Sequence, residues 1–110
     1  MNTTPPQVLS TYFAAVNERR LDDAAACFAP DARVHDESHD HVGADAIRQW
    51  IEETTQKYQP KAEVTHVAAT ADAGTFIATA TVSGTFPGSP VQLGYTFTVA
   101  GEKITHLSIQ

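Results

Sequence analysis

The 110 residues suffice for one packed domain, expected to span residues 1–110, and a hydrophobic content of 42% supports a core that needs neither disulfide nor structural metal. Thirteen acidic against seven basic side chains give a formal charge of −6, which repels phosphate backbones and anionic lipid surfaces and excludes nucleic acid and membrane as partners. The lone Cys27 cannot close an internal disulfide, no apolar run nears the ~18 residues of a membrane span, and the opening segment lacks the pattern of an export signal, so the expected compartment is the cytoplasm.

Thr4-Pro5-Pro6-Gln7 reads as a helix start, with Thr4 as cap, Pro5 at the first helical position and Gln7 placed to reach back. Val8, Leu9, Tyr12, Phe13 and Val16 then recur at three- and four-residue steps and form one buried stripe. A second, shorter helix begins near Leu21, where Leu21, Ala24, Ala25 and Phe28 repeat the pattern, Asp22 and Asp23 suit its positive end, and Pro30-Asp31 closes it. Arg33 to His35 is a short strand, and the polar run from Asp36 to His41 reads as loop or pocket rim. The third helix follows Gly43, with Ile47, Trp50, Ile51, Thr54 and Tyr58 on one face until Pro60 ends it.

From Lys61 the period falls to two and β-branched residues multiply. Strands are expected near 61–71, 75–84, 91–99 and 103–109, separated by turns at Ala73-Gly74, Phe86–Pro90 and Ala100-Gly101, and connected as a meander. Val64 and Val67, like Ile104 and Leu107, differ in parity, so each of these strands must carry a bulge or be covered on both sides. The order of elements places the helices on one face of an antiparallel sheet, the α+β class. The opposite face, with Ile77, Thr79, Thr81 and Thr96, carries no charge, and a second copy of the chain is its expected cover.

No phosphate loop, Rossmann pattern or serine elbow is present, so neither nucleotide cofactors nor phosphate chemistry is expected. His35, Asp36, Glu37, His39, Asp40 and His41 are of metal-ligand type but crowd one short segment, whereas zinc draws its ligands from separated rigid elements; no metal is expected. Cys27, among alanines, reads as a small buried hydrophobe. Trp50, Phe97 and Phe28 read first as core, and also as the apolar groups that would line a ligand pocket.

The string YFAAVNERRLDDAAACFAPDARVHD over 12–36, followed by HVGADAIRQWI, resembles the SnoaL-like and ketosteroid-isomerase-like branch of the nuclear transport factor 2 superfamily, across nearly the whole chain. The resemblance implies a cystatin-like cone: three N-terminal helices packed on a strongly bent, mainly antiparallel sheet around an apolar pocket. It departs from the family at Arg19-Arg20, where Gly-Asp is usual, and at Tyr95, which falls where the isomerases keep a protonated aspartate. It implies Asp36 as general base and Tyr12 as oxyanion donor, with Tyr95 as a second donor and His35 near the ligand. The reaction implied is cofactor-free isomerisation or cyclisation of a small apolar carbonyl compound. The alternative assigns Asp36 to a helix cap or to solvent and the phenols to structural hydrogen bonds, leaving a binding or dimerisation module.

Overall fold

The computed structural model describes residues 6–110; Thr4 and Pro5 lie outside them, but Pro6 is extended (ψ 144°) and Gln7 is the first helical residue, so Gln7 does not stand where a reach-back to the cap was expected. Helix α1 (Gln7–Asn17) buries Leu9, Tyr12, Phe13 and Ala15 along the stripe expected from the apolar spacing. Its end explains how the chain turns without glycine. Arg19 takes the left-handed conformation (φ 61°), its N–H donates to the Val16 carbonyl, and the Arg20 N–H donates to Ala15 O at 2.8 Å. This is the double-bonded helix ending in which glycine is the usual residue. The Arg19 guanidinium also reaches the Val16 and Pro60 carbonyls, tying the turn to the far end of the third helix.

Helix α2 (Leu21–Ala26) is two residues shorter than the apolar spacing implies, because Phe28 belongs to strand β1 (Phe28–Asp36) and not to the helix. Long-range pairing overrides the local pattern here: Phe28 aligns with Ile104 of the last strand, and Pro30 falls where that register slips before resuming at Arg33, so its missing N–H costs no ladder bond. The polar segment expected as loop or pocket rim is a hairpin whose turn residues, Glu37 and Ser38, border the cavity described below. Strand β2 (His39–Val42) pairs back on β1 from Arg33↔Val42 to Asp36↔His39, turning through Glu37 and Ser38 at φ 52° and 66°. Two positive φ angles match the right-handed twist of the flanking strands. An edge strand does not need an apolar alternation, which is why β2 left none in the sequence.

Helix α3 (Ala44–Tyr58) buries Ile47, Trp50 and Ile51 and ends at a left-handed Gln59 before Pro60. Strands β3 (Lys61–Ala69), β4 (Thr75–Ser83), β5 (Val91–Ala100) and β6 (Lys103–Ile109) form the expected meander, and the sheet order is β2-β1-β6-β5-β4-β3 with only β1 and β6 parallel. Both expected bulges are present. Val64 faces Ala80 and His66 faces Thr79, leaving Thr65 as an extra residue; Ile104 faces Val99 and His106 faces Thr98, leaving Thr105. Each bulged threonine hydroxyl donates to a carbonyl of the neighbouring strand, Thr65 to Thr79 O and Thr105 to Thr98 O. Bulges bend a strand and raise its twist, and here they curl the sheet toward the helices.

Phe97, Ile47, Ile104, Leu107 and Val34, all fully buried, fill one end of the space between sheet and helices. Asn17 fastens the other end. Its amide donates to Ala62 O and accepts from Ala62 N–H, both at 2.8 Å, joining the end of α1 to the start of β3 across 45 residues of chain. Among the described residues no helix is long and apolar enough to cross a membrane.

Candidate active site

Where the core stops, α1, α3 and the concave face of the sheet enclose a cavity of about 800 Å³. That is within the range of cavities that hold small organic molecules. Tyr12 enters it from α1, Trp50, Thr54 and Tyr58 from α3, Leu93 and Tyr95 from β5, and Asp36 from the end of β1. Period alone aims these groups: Tyr12 shares the buried stripe of α1, and Tyr95 lies on the inner face of β5 opposite Ala78, whose small side chain leaves room in front of it.

The two phenols are held by aromatic rings and not by hydrogen bonds. Tyr12, 4% exposed, packs edge-on against Phe13, Phe28 and Phe97, with centroids 5.4, 5.6 and 5.8 Å away. Tyr95 meets Phe13 edge-on at 5.1 Å and stacks on Phe97 at 6.1 Å. Among the described residues no fully enclosed side-chain oxygen or nitrogen lacks a partner, and no protein group accepts a bond from either hydroxyl; both therefore open into the cavity they line. Burial pushes the Tyr12 phenol well above its usual value, helped by Tyr95 and Asp36, and burial with the nearby Asp36 charge pushes Tyr95 up to about 12. Both remain protonated donors throughout the neutral range.

Asp36 Oδ2 accepts a hydrogen bond from Trp50 Nε1 at 3.0 Å. Burial raises the Asp36 carboxyl above the ordinary aspartate value; the Trp50 bond opposes the rise, Glu37 adds to it, and the Glu37 backbone N–H and His41 oppose it. A half-buried carboxylate made more basic, beside two phenols that cannot easily ionise, is an acid-base pair separated by environment. The mouth joins Glu37, from the polar run expected as loop or pocket rim, to Tyr58 and Phe86, which carry no functional expectation from sequence. Tyr58 donates to Glu37 Oε1 at 2.6 Å and meets Phe86 edge-on at 5.8 Å, and the Lys57 ammonium sits 5.1 Å from the Tyr58 ring centre. Tyr58 was legible as the end of the α3 stripe, but its partner Glu37 lies 21 residues away, a separation that no local pattern encodes.

The other expected residues separate. Trp50 lines the cavity and holds Asp36. Phe28 and Phe97 do not reach it: they lie behind Tyr12, 6% and 0% exposed, and position the phenol without touching a ligand. His35 borders only the rim, its Nδ1 paired with Asp40 Oδ1 at 2.7 Å on the side of the hairpin away from Asp36. The hairpin thus divides the acidic and histidine cluster between two faces, with His41 beside Trp50 on the other, and among the described residues no three such side chains converge as metal ligands would. Cys27 is buried at the end of α2, its thiol against Asp23 O and pushed up by burial, as a small hydrophobe would be.

A family model described as a SnoaL-like domain matches residues 9–107. Among solved structures, a candidate polyketide cyclase from Sinorhizobium meliloti is similar at TM-score 0.89 and 38% identity, covering 96% of this chain and 94% of that one. A protein with a ketosteroid-isomerase-like fold from Catenulispora acidiphila, in complex with trimethylamine, gives a TM-score of 0.82 at 18% identity over 97% of this chain and 86% of the other. An uncharacterised cystatin-fold protein from Novosphingobium aromaticivorans gives 0.77 at 14% identity over 99% of both chains. The last two share the fold alone. No curated protein matches the sequence. The match across 9–107, together with a bent sheet closed around three helices, means that this chain belongs to the family of SnoaL-like domains.

Proposed function

We propose that the domain is a cofactor-free acid-base catalyst acting on an enolisable carbonyl compound, as an isomerase or an aldol-type cyclase. The observation that carries this reading is the pair of phenols, unpartnered among the described residues, and the basic carboxylate opening into one cavity. Asp36 takes a proton from the carbon next to the carbonyl, the C–H electrons move into the C–C bond, and the carbonyl oxygen gains the charge. Tyr12 and Tyr95 donate to that oxygen, with no reorganisation needed because the aromatic rings already hold them. Where a double bond is conjugated with the enolate, the proton held on Asp36 returns to the far carbon of that dienolate, giving the isomer. Alternatively the enolate carbon attacks a second carbonyl of the same molecule, and the new alkoxide takes the proton. The cyclase branch draws support from the similarity to the Sinorhizobium protein.

The test is hydrogen exchange. Enolisable ketones are incubated with the protein in deuterated water, and label at the α-carbon is followed by NMR. Exchange that disappears in Asp36→Asn with the fold retained supports the catalyst; a wild-type protein that exchanges none of the ketones yet binds them leaves a binding module. We also assign the uncharged outer face of β4 and β5, where Ile77 is 42% exposed, to a second copy of the chain. Sedimentation should give a dimer that Ile77→Lys converts to monomer; a monomeric wild type removes the assignment.

A further inference from the structure

The charges around the cavity are one-sided. Among the described residues no lysine or arginine lines it, while Asp36 and Glu37 both do. Glu37 is fixed in place: it occupies a left-handed turn position, and Tyr58 from the end of α3 donates to its carboxylate at 2.6 Å, so the charge is held at the mouth. The neighbouring cation, Lys57, lies over the Tyr58 ring and attracts Glu37 from outside the cavity, but it is not among the lining groups. A chain of net charge −6 adds to the same field.

We propose that Glu37, held at the mouth by Tyr58, is a specificity-determining charge filter, and that the ligand of this cavity is uncharged, carboxylates and phosphates being rejected. The inference rests on the reading of the cavity as the ligand site and names its substrate class. It agrees with the chemistry of proton abstraction. When Asp36 takes a proton, one negative charge moves from the carboxylate to the enolate oxygen and the total within the cavity stays the same. An anionic substrate would add a third negative charge beside Asp36 and Glu37, in a space with no lysine or arginine among its described lining residues and at a distance where water screens poorly. The reaction that supplies the substrate must therefore release it as a neutral molecule, and not as a free acid or phosphate ester.

Naphthol and naphthoate share a bicyclic frame, and only the second is charged at neutral pH. Titrated separately into the full chain, naphthol should bind at least about thirtyfold more tightly, the effect expected of two carboxylates close to the ligand. Glu37→Gln should narrow that ratio by about twofold to fifteenfold, the span of one charge about 10 Å off between water-like and protein-like screening. Tyr58→Phe, which frees the carboxylate to swing into solvent, should narrow it in the same direction, and circular dichroism confirms the fold of both variants. Equal affinity for the two probes, a ratio that neither variant moves, or no binding of either probe overturns the filter. A protein that discriminates between the probes but exchanges no ketone keeps the filter and loses the catalytic reading, so the two fail separately.

Discussion

Tyr12→Phe deletes a single oxygen, and the surroundings of that oxygen determine what the deletion does. The ring contacts at 5.4, 5.6 and 5.8 Å do not involve the hydroxyl and survive the change. Among the described residues the hydroxyl has no protein partner, so no buried group is stranded by its loss. The stability change should therefore stay within about 0.5 kcal/mol, as for a substitution that breaks none of the features that dominate mutational losses. Removing one of two donors to a developing oxyanion costs about a hundredfold to a thousandfold in rate, or about 3 to 4 kcal/mol of barrier. Urea denaturation and deuterium exchange on the same sample read both quantities. Truncation to alanine provides the contrast, since it empties the ring site and should cost about 3 to 5 kcal/mol of stability. If Tyr12→Phe lost more than about 1.5 kcal/mol of stability while the rate was unchanged, the phenol would be serving as a structural hydrogen-bond donor and the oxyanion assignment would be wrong.

Asp36 should also leave a mark on stability. Its folded carboxyl lies above the ordinary value of 3.8, so the native state binds the proton more tightly, and the stabilisation is complete below that value and lost as pH rises through the raised one. The urea midpoint of the wild type, measured relative to Asp36→Asn, should accordingly fall across that interval; a midpoint rising with pH relative to the variant would contradict the burial argument. Trp50→Phe removes the donor that favours the ionised carboxylate, so the acidic limb of the exchange-rate profile should move to higher pH. An unmoved limb would mean that Trp50 only packs. Asn17→Ala removes two hydrogen bonds that fasten β3 to α1 and strands two half-buried backbone groups, for an expected loss of about 1 to 3 kcal/mol by denaturant titration; a loss below about 0.5 kcal/mol would mean that water replaces the amide.

The elements that bury a face were legible because burial imposes a period. The α1 and α3 stripes and the alternation from Phe76 to Val82 and from Val91 to Val99 carried the helices and the meander. The parity conflict between Ile104 and Leu107 left two outcomes, a bulge or cover on both sides, and the strand takes the bulge. What failed had no period to show. β2 is a polar edge strand, and Phe28 continued the α2 spacing although its partner Ile104 lies on the last strand. The site divides on the same line. Asp36, Tyr12 and Tyr95 were named through a family resemblance, and the structure brings them to one cavity. The polar run holding Glu37 was legible as a rim, but its meeting with Tyr58 and Phe86 was not, because that depends on how the β1–β2 turn, the end of α3 and the β4–β5 loop come together. Phe28 and Phe97 are core, the first of their two readings, and the second, as pocket lining, stays open in a sequence because an apolar ring looks the same there whether it faces a void or another ring.

Thr65 and Thr105 separate two properties that usually travel together. Take either one away and the flanking residues fall into plain alternation, Val64 with Val67 or Ile104 with Leu107, on one face of the strand. The neighbouring strands would still recognise each other, but the ribbon between them would straighten. Curvature here is written in the length of the chain and not in the chemistry of its side chains, so two single-residue deletions are the shortest route from a hollow protein to a solid one with the same strand order.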